Sequence, residues 1–96
     1  MIILKIGGNI LNKPGALAEA LDYFAALKGP AILVHGGGRK ASEVIAAMGM
    51  EPKMIDGRRI TDAATLEIVT MVYGGLINKQ VVADLQARGR NAIGLS

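Results

Sequence analysis

Cysteine is absent from the 96-residue sequence, and histidine occurs only once, at position 35. A chain without cysteine can form neither a disulfide framework nor a thiolate metal site. No carboxylates cluster near His35, so the sequence predicts no protein-ligated metal. Aromatic residues make up only 3% of the chain, whereas 51% of it is hydrophobic. The apolar residues are therefore mostly aliphatic, which is typical of a core between helices and a buried parallel sheet.

The sequence also predicts no signal peptide, and it contains neither a long apolar run nor a run of like charges. No segment is long and apolar enough to predict a membrane span. The formal charge of +3 arises from scattered lysines and arginines with acidic residues interspersed among them. This pattern suits a solvated surface and small anionic ligands rather than a nucleic-acid groove. We therefore expect a cytoplasmic protein that binds neither nucleic acid nor a membrane.

The most informative stretch is Ala31–Glu43, where four apolar residues precede three consecutive glycines and an amphipathic segment. The apolar residues predict a buried strand, and a helix is expected from about Lys40 to Met48. Glycines let backbone N–H groups approach a ligand closely, and a helix N-terminus carries partial positive charge. The stretch therefore predicts an anion site. A glycine turn that only connects the strand to the helix is the alternative.

An equivalent unit opens the chain. Met1–Ile6 predicts a central strand, Gly7-Gly8 ends it, and a helix is expected from Pro14 to about Lys28. The order strand, helix, strand, helix predicts an α/β fold with a parallel sheet and right-handed crossovers. Both glycine turns would then lie at the same sheet edge, where ligands of such sheets bind.

Lys5 is the only charged residue of the first predicted strand, and it precedes Gly7-Gly8 by two positions. Burial of an unpaired ammonium group among isoleucines and leucines is costly. We therefore expect Lys5 to face a pocket at the sheet edge rather than to extend its side chain along an edge strand into solvent.

The second half of the sequence predicts a hairpin, a long helix and a last strand. Glu51–Ile55 and Arg58–Ile60 are joined by Asp56-Gly57, a strong hairpin signal that directs Arg58 and Arg59 to opposite faces. A helix capped by Thr61 or Asp62 is expected to reach about Arg88. Gly74-Gly75 predict a kink or a division within it. Residues 91–96 predict a further strand.

One set of motifs indicates a hydrolase instead. His35–Gly38 has the form of the oxyanion-hole motif of lipases and esterases, and Gly94–Ser96 is compatible with the start of a nucleophile elbow with Ser96 as nucleophile. A carboxylester hydrolase fragment is therefore an alternative, although no triad histidine follows and Lys5 and Arg59 would have no role. A non-catalytic module that binds small anions is a third possibility. A P-loop is excluded because Arg39 and Ala41 occupy the wrong positions.

Five segments carry a resemblance to a known family. They are, in order, Ile3–Gly8, Leu33–Gly38, Asp56–Thr61, Asn78-Lys79 and Ala92–Leu95. With these segments the chain resembles the acetylglutamate kinase family of the amino acid kinase superfamily. Lys-x-Gly-Gly marks only the superfamily, whereas the glycine triplet followed by Gly-x-Arg-x-Thr is much more specific.

The resemblance implies a three-layer αβα sandwich with a mainly parallel sheet, of which residues 1–96 form the N-terminal, acyl-glutamate-binding half. The nucleotide-binding half would lie outside these residues. The implied reaction is ATP-dependent phosphorylation of the γ-carboxylate of N-acetyl-L-glutamate in arginine biosynthesis, with Mg²⁺ bound to ATP. We also expect a homodimer formed through the 62–88 helix.

The resemblance also implies roles for individual residues. Lys5 matches the lysine that stabilises the transferring phosphoryl group, and Arg59 matches the arginine that pairs with the substrate α-carboxylate. Gly37 and Gly38 match glycines that contact the substrate, whereas Gly7 and Gly8 match the turn that lines the phosphate end. Phosphoryl transfer needs positioning and positive charge of the kind that such residues supply.

Overall fold

The computed structural model describes residues 1–51 and 53–96. The secondary-structure elements alternate between strands and helices over most of the chain. They are, in order, β1 (Ile2–Ile6), α1 (Gly8–Leu11), α2 (Pro14–Ala26), β2 (Ala31–His35), α3 (Gly38–Ala47), β3 (Met54–Ile55), β4 (Arg58–Arg59), α4 (Ala63–Thr70), a π-helical segment (Met71–Ile77) and α5 (Asn78–Ala87). No helix in the described part of the chain is long and apolar enough to cross a membrane.

Strands β1 and β2 form a parallel pair, with Ile2 opposite Ala31 and Ile6 opposite His35. Side chains alternate between the two faces of such a pair. Leu4 and Leu33 point to one face and pack against the hydrophobic core. The α/β fold with a parallel sheet is therefore confirmed.

The opposite face of the same strand pair is open. Ile3, Ile32 and Val34 are 65%, 46% and 43% exposed, respectively. Helices thus cover one face of β1 and β2 within the described residues. A third layer on the open face remains a prediction.

The hydrophobic core lies between the covered sheet face and a layer of helices. It contains residues from α2, α3, α4, the π-helical segment and α5, namely Leu21, Phe24, Ala41, Ile45, Ile68, Val72, Ile77, Val81 and Leu85. Their recurrence at three- and four-residue intervals gives each helix one apolar face toward the core. Helix α3 is fixed in this layer by Ala41 and Ile45, which are both fully buried.

The long helix predicted from residue 61 or 62 to 88 exists as three consecutive segments. Asp62 caps α4 by accepting a hydrogen bond from the Thr65 backbone N–H at 2.8 Å, as one of the two predicted caps requires. The π-helical segment contains Gly74-Gly75, so the predicted irregularity at these glycines is confirmed. Its form is a wider turn in a helix that continues into α5.

The predicted hairpin is confirmed but is shorter than expected. Met54 pairs with Arg59 and Ile55 with Arg58, in antiparallel register. Asp56 and Gly57 both have positive φ, 51° and 76°, as a two-residue turn between twisted strands requires. Pro52, within the predicted strand 51–55, lies outside the described residues.

The strand predicted for residues 91–96 is wrong, because this segment belongs to no strand. Its carbonyl groups accept hydrogen bonds from side chains of α5 instead. Gln86 Nε2 donates to the Ala92 carbonyl at 3.1 Å, and Asn78 Nδ2 donates to the Leu95 carbonyl at 3.2 Å. The segment and β2 both line a cavity of about 860 Å³.

Arg90, which follows α5, contacts the loop before β2. Its guanidinium donates to the Leu27 carbonyl at 2.6 Å and to the Gly29 carbonyl at 2.7 Å. It also lies 5.8 Å from the centre of the Phe24 ring, within the range of a cation–π contact. These contacts hold α2, α5 and the entry to β2 together.

Candidate functional site

The two glycine turns lie at the same edge of the sheet, as the sequence predicts. Ile6 and His35 are the last residues of β1 and β2 and are directly opposite each other. Gly7 is the N-cap of α1, and Gly37 is the N-cap of α3. Unpaired backbone N–H groups at the start of α3 therefore lie beside the turn that follows β1.

Gly37 is a glycine because other side chains approach its backbone closely. A Cβ atom at this position would overlap Ile77 Cδ1 and would lie 3.4 Å from the Tyr73 ring. Both neighbours belong to the π-helical segment. Packing of this segment against Gly37 fixes the start of α3, and no larger residue fits there without displacing Ile77.

Gly8 and Gly37 line one groove, which we call the glycine groove. It has a volume of about 400 Å³ and is also lined by Arg39 and Lys40. Lys40 forms an exposed ion pair with Glu43 at 3.8 Å. Glu43 and Asp84 also line the groove, so its acidic and basic side chains are equal in number. What favours an anion there is the partial positive charge at the N-terminus of α3.

Arg59 is anchored to α3 by a hydrogen bond that sequence reasoning missed. Its Nη2 donates to Ser42 Oγ at 2.6 Å, and the contact is partly buried. Ser42 follows Gly38, the first residue of α3, by one helical turn, so the two positions are separated by about 6 Å along the axis. The Arg59 guanidinium is thereby held close to the glycine turn. Arg58, its neighbour in β4, is exposed, as the predicted alternation requires.

Lys5 occupies a different position from the one expected. It lies opposite Val34 in the parallel pair, is exposed, and belongs to the open face with Ile3 and Ile32. Among the described residues, those that line the glycine groove include neither Lys5 nor Arg59. The structure therefore unites the glycine turns and brings Arg59 to α3, while Lys5 sits near the same edge on the uncovered face.

A hydrogen-bond network that includes His35 and Asn78 lies at the end of β2. His35 Nδ1 is 2.9 Å from the Gly36 carbonyl oxygen, and its Nε2 is 3.3 Å from Asn78 Nδ2. Asn78 is only 7% exposed. The sequence offered Asn78-Lys79 as a matching segment but gave no indication of this contact, because its partners are far apart in the chain.

The hydrolase alternative finds no support in this geometry. Both ring nitrogens of His35 are already within hydrogen-bond distance of groups in the network. Ser96 lies against the π-helical segment, where a Cβ added to Gly74 would be 2.9 Å from its Oγ. In residues 1–51 and 53–96, no group of three or more histidine, aspartate or glutamate side chains is arranged to hold a metal ion.

Comparison with known proteins gives consistent results along the whole chain. A family model described as "Amino acid kinase family" matches residues 1–96. Over 96 residues the chain is 59% identical to the acetylglutamate kinase of Cytophaga hutchinsonii and 55% identical to that of Bacteroides thetaiotaomicron. It is 45% identical to the acetylglutamate kinase of Methanopyrus kandleri. All three alignments include the entire chain but only 36–37% of the relative, so the chain spans a little over one third of their length.

The fold is also similar to part of a solved structure. N-acetylglutamate synthase from Neisseria gonorrhoeae, crystallised with coenzyme A and L-arginine, matches with a TM-score of 0.59 and 22% sequence identity. The match covers 99% of this chain and 22% of that protein. At this identity the comparison is informative about the fold alone.

Proposed function

This chain belongs to the amino acid kinase family, and on that premise we propose that the longer protein containing it phosphorylates the γ-carboxylate of N-acetyl-L-glutamate with ATP. The reaction would serve arginine biosynthesis. In this proposal residues 1–96 form the acyl-glutamate-binding half, and the nucleotide-binding half lies in the additional length that the relatives have. The names of the relatives at 45–59% identity support the choice of substrate.

The observation that carries the proposal is the hydrogen bond from Arg59 to Ser42, which lies one helical turn after Gly38 at the start of α3. A planar guanidinium can bind a carboxylate through two parallel hydrogen bonds. Backbone N–H groups at the start of a helix bind a second anionic group. Ser42, which holds the Arg59 guanidinium, lies about 6 Å along α3 from Gly38. In our proposal a molecule with two carboxylates, such as an N-acylated glutamate, contacts both groups.

In the proposed arrangement Arg59 binds the α-carboxylate, while Gly37 and Gly38 contact the rest of the substrate. Gly7 and Gly8 line the phosphate end of ATP, where the N-terminus of α3 supplies partial positive charge. Lys5 stabilises the charge that develops on the transferring phosphoryl group. Phosphoryl transfer requires mainly this positioning and electrostatic stabilisation. A divalent cation, Mg²⁺ in our proposal, would enter with ATP as part of the substrate.

We further propose that two copies associate through the helix from Ala63 to Ala87. Leu66 and Met71 are each 55% exposed, and Leu76 is 38% exposed. Burial of these three large apolar side chains against a second copy would favour association. The exchange Met71→Glu is expected to convert the dimer into a monomer in light scattering, whereas a dimer that persists would exclude this surface.

The reaction is tested with the full-length gene product in an assay that couples ADP formation to N-acetyl-L-glutamate. We expect ADP release that depends on both substrates, and acyl-phosphate that hydroxylamine traps as a hydroxamate. Hydrolysis of short-chain nitrophenyl esters is measured in parallel. Ester hydrolysis without acyl-phosphate formation would refute the proposal.

A further inference from the structure

His35 joins the end of β2 to the glycine turn, and both of its ring nitrogens have partners. Nδ1 lies 2.9 Å from the Gly36 carbonyl oxygen, which can only accept a hydrogen bond. Nε2 lies 3.3 Å from Asn78 Nδ2. The protonation of the ring therefore depends on which end of the Asn78 amide faces it.

The orientation of the Asn78 amide is fixed by its other two neighbours. Its Nδ2 is 3.2 Å from the Leu95 carbonyl oxygen, and its Oδ1 is 3.1 Å from Lys79 Nζ. A flipped amide would place oxygen against the carbonyl and nitrogen against the ammonium group, so both contacts would become repulsive. The NH₂ group must therefore face both the Leu95 carbonyl and His35.

The hydrogen bonds then determine the state of the ring. Because Asn78 donates to Nε2, this nitrogen must carry a lone pair, and the proton resides on Nδ1, which donates to the Gly36 carbonyl. We infer that His35 is held as the neutral Nδ1–H tautomer and that, together with Asn78, it positions the glycine turn. The tautomer follows from geometry alone, whereas the role in substrate binding rests on the proposed function.

This network can set the direction of the substrate-binding groups. The Gly36 carbonyl and the Gly37 N–H belong to one planar peptide unit, so a bond that fixes the carbonyl also fixes the N–H. With Nδ1 donating and Nε2 accepting inside the network, His35 is not placed to take a proton from the substrate. His35 and Asn78 are thus positioning residues.

The position of the Asn78 side chain is also constrained by the close packing of Gly94 against it. A Cβ atom at Gly94 would overlap Asn78 Oδ1 and would lie 3.0 Å from Val82 Cγ2. The 91–96 segment therefore approaches the buried amide at a glycine. This close approach brings the Leu95 carbonyl within reach of Asn78 Nδ2.

The tautomer is tested by NMR on the full-length protein labelled with ¹⁵N-histidine. Two-bond ¹H–¹⁵N correlations distinguish the protonated ring nitrogen from the unprotonated one, and the signals of His35 are those that disappear in His35→Asn. We expect a protonated Nδ1 and an unprotonated Nε2. A protonated Nε2, whether in the other neutral tautomer or in an imidazolium, would overturn the inference.

The positioning role is tested by kinetics with a matched control. Asn78→Ala removes the amide that holds both His35 and the Leu95 carbonyl, and Gln86→Ala removes an amide that donates to Ala92 in the same segment. We expect Asn78→Ala to raise KM for N-acetyl-L-glutamate by about five- to tenfold, with KM for ATP changed less than about twofold. Gln86→Ala should leave both constants close to those of the wild type.

His35 is tested with a pair of variants. His35→Phe fills the volume without hydrogen bonds, whereas His35→Asn places an amide that can donate to the Gly36 carbonyl. We expect the rise in KM in His35→Phe and a partial recovery in His35→Asn. Wild-type kinetics in His35→Phe would overturn the positioning role, as would equal effects of the two alanine variants.

These measurements separate the inference from the proposed function. A wild-type protein that shows the Nδ1–H signature but does not phosphorylate N-acetyl-L-glutamate would refute the function and the role in substrate binding, while the tautomer would stand. An active enzyme with the opposite tautomer would refute the inference alone.

Discussion

Replacement of Ser42 by alanine tests whether the recognition of the substrate carboxylate depends on how Arg59 is held. Ser42 Oγ accepts a hydrogen bond from Arg59 Nη2 at 2.6 Å in a partly buried position. The exchange leaves the guanidinium in place and removes one constraint on its orientation. If Arg59 binds the α-carboxylate, the substrate then meets an arginine that samples orientations unable to bind.

The magnitude follows from the type of bond. Hydrogen bonds that involve a charged group contribute about 1.5–3 kcal/mol. Arg59 keeps its other contacts, so the loss belongs at the lower end of this range. Alanine is a better helix former than serine by about 0.5 kcal/mol, so the free energy of unfolding should fall by about 1 kcal/mol. If the Arg59 orientation that can bind the substrate loses about 1.4 kcal/mol of stabilisation, the apparent affinity for the substrate falls roughly tenfold.

The assay is steady-state kinetics of the full-length protein with each substrate varied in turn. We expect KM for N-acetyl-L-glutamate to rise about five- to tenfold in Ser42→Ala, with KM for ATP nearly unchanged. Ser42→Thr keeps the hydroxyl and should restore most of the affinity. Arg59→Lys loses the bidentate geometry at a cost of about 2 kcal/mol, whereas Arg58→Lys should be mild. Equal losses for both substrates in Ser42→Ala would refute the reasoning.

Three further tests address other parts of the molecule. Lys5→Met should lower kcat roughly a hundredfold with little change in KM, since its contact strengthens in the transition state; near-normal turnover would exclude the role. The hydrogen bonds from Thr65 lower the pKa of Asp62. The ionised Asp62 carboxylate therefore stabilises the folded protein fully above the ordinary pKa of aspartate, and this stabilisation is lost as the pH falls below about 4. Thermal melts should therefore decline less steeply with acid in Asp62→Asn, and parallel declines would contradict this. Arg90→Ala should lower the free energy of unfolding by about 2 kcal/mol in urea titrations. Arg88→Ala removes an exposed ion pair with Asp22 and an exposed hydrogen bond to the Asp84 carbonyl, and should cost about 0.5 kcal/mol; similar losses would contradict the role of Arg90.

The elements that the sequence predicts correctly are those whose signals are local. Pro14 starts α2, Gly7-Gly8 terminates β1, and Asp56-Gly57 makes the hairpin turn. Each signal acts through the backbone of the residue concerned or its immediate neighbours. The parallel pairing of β1 and β2 follows from the order of these elements. The sequence therefore predicts that both glycine turns lie at the same edge of the sheet.

The features that the sequence does not predict depend on contacts between distant segments. Residues 92–95 have the composition of a strand, but a ladder requires a partner at the correct distance. The side-chain amides of Asn78 and Gln86 bind the carbonyls of this segment instead. The bond between Ser42 and Arg59 joins residues 17 positions apart and is set by how the hairpin packs on α3. Such side-chain pairs leave no periodic trace in a sequence.

Lys5 lies on the open face of the sheet, and this position agrees with the proposed division of the protein into an acyl-glutamate half and a nucleotide half. Ile3, Ile32 and Val34 expose large apolar side chains around Lys5 on this face. Parallel sheets are ordinarily covered by helices on both faces, and this chain spans 37% of the length of its Bacteroides relative. In our proposal part of the remaining length covers this face. Lys5 would then lie at the boundary between the acyl-glutamate half and the nucleotide half, which is where a cation that stabilises phosphoryl transfer must act.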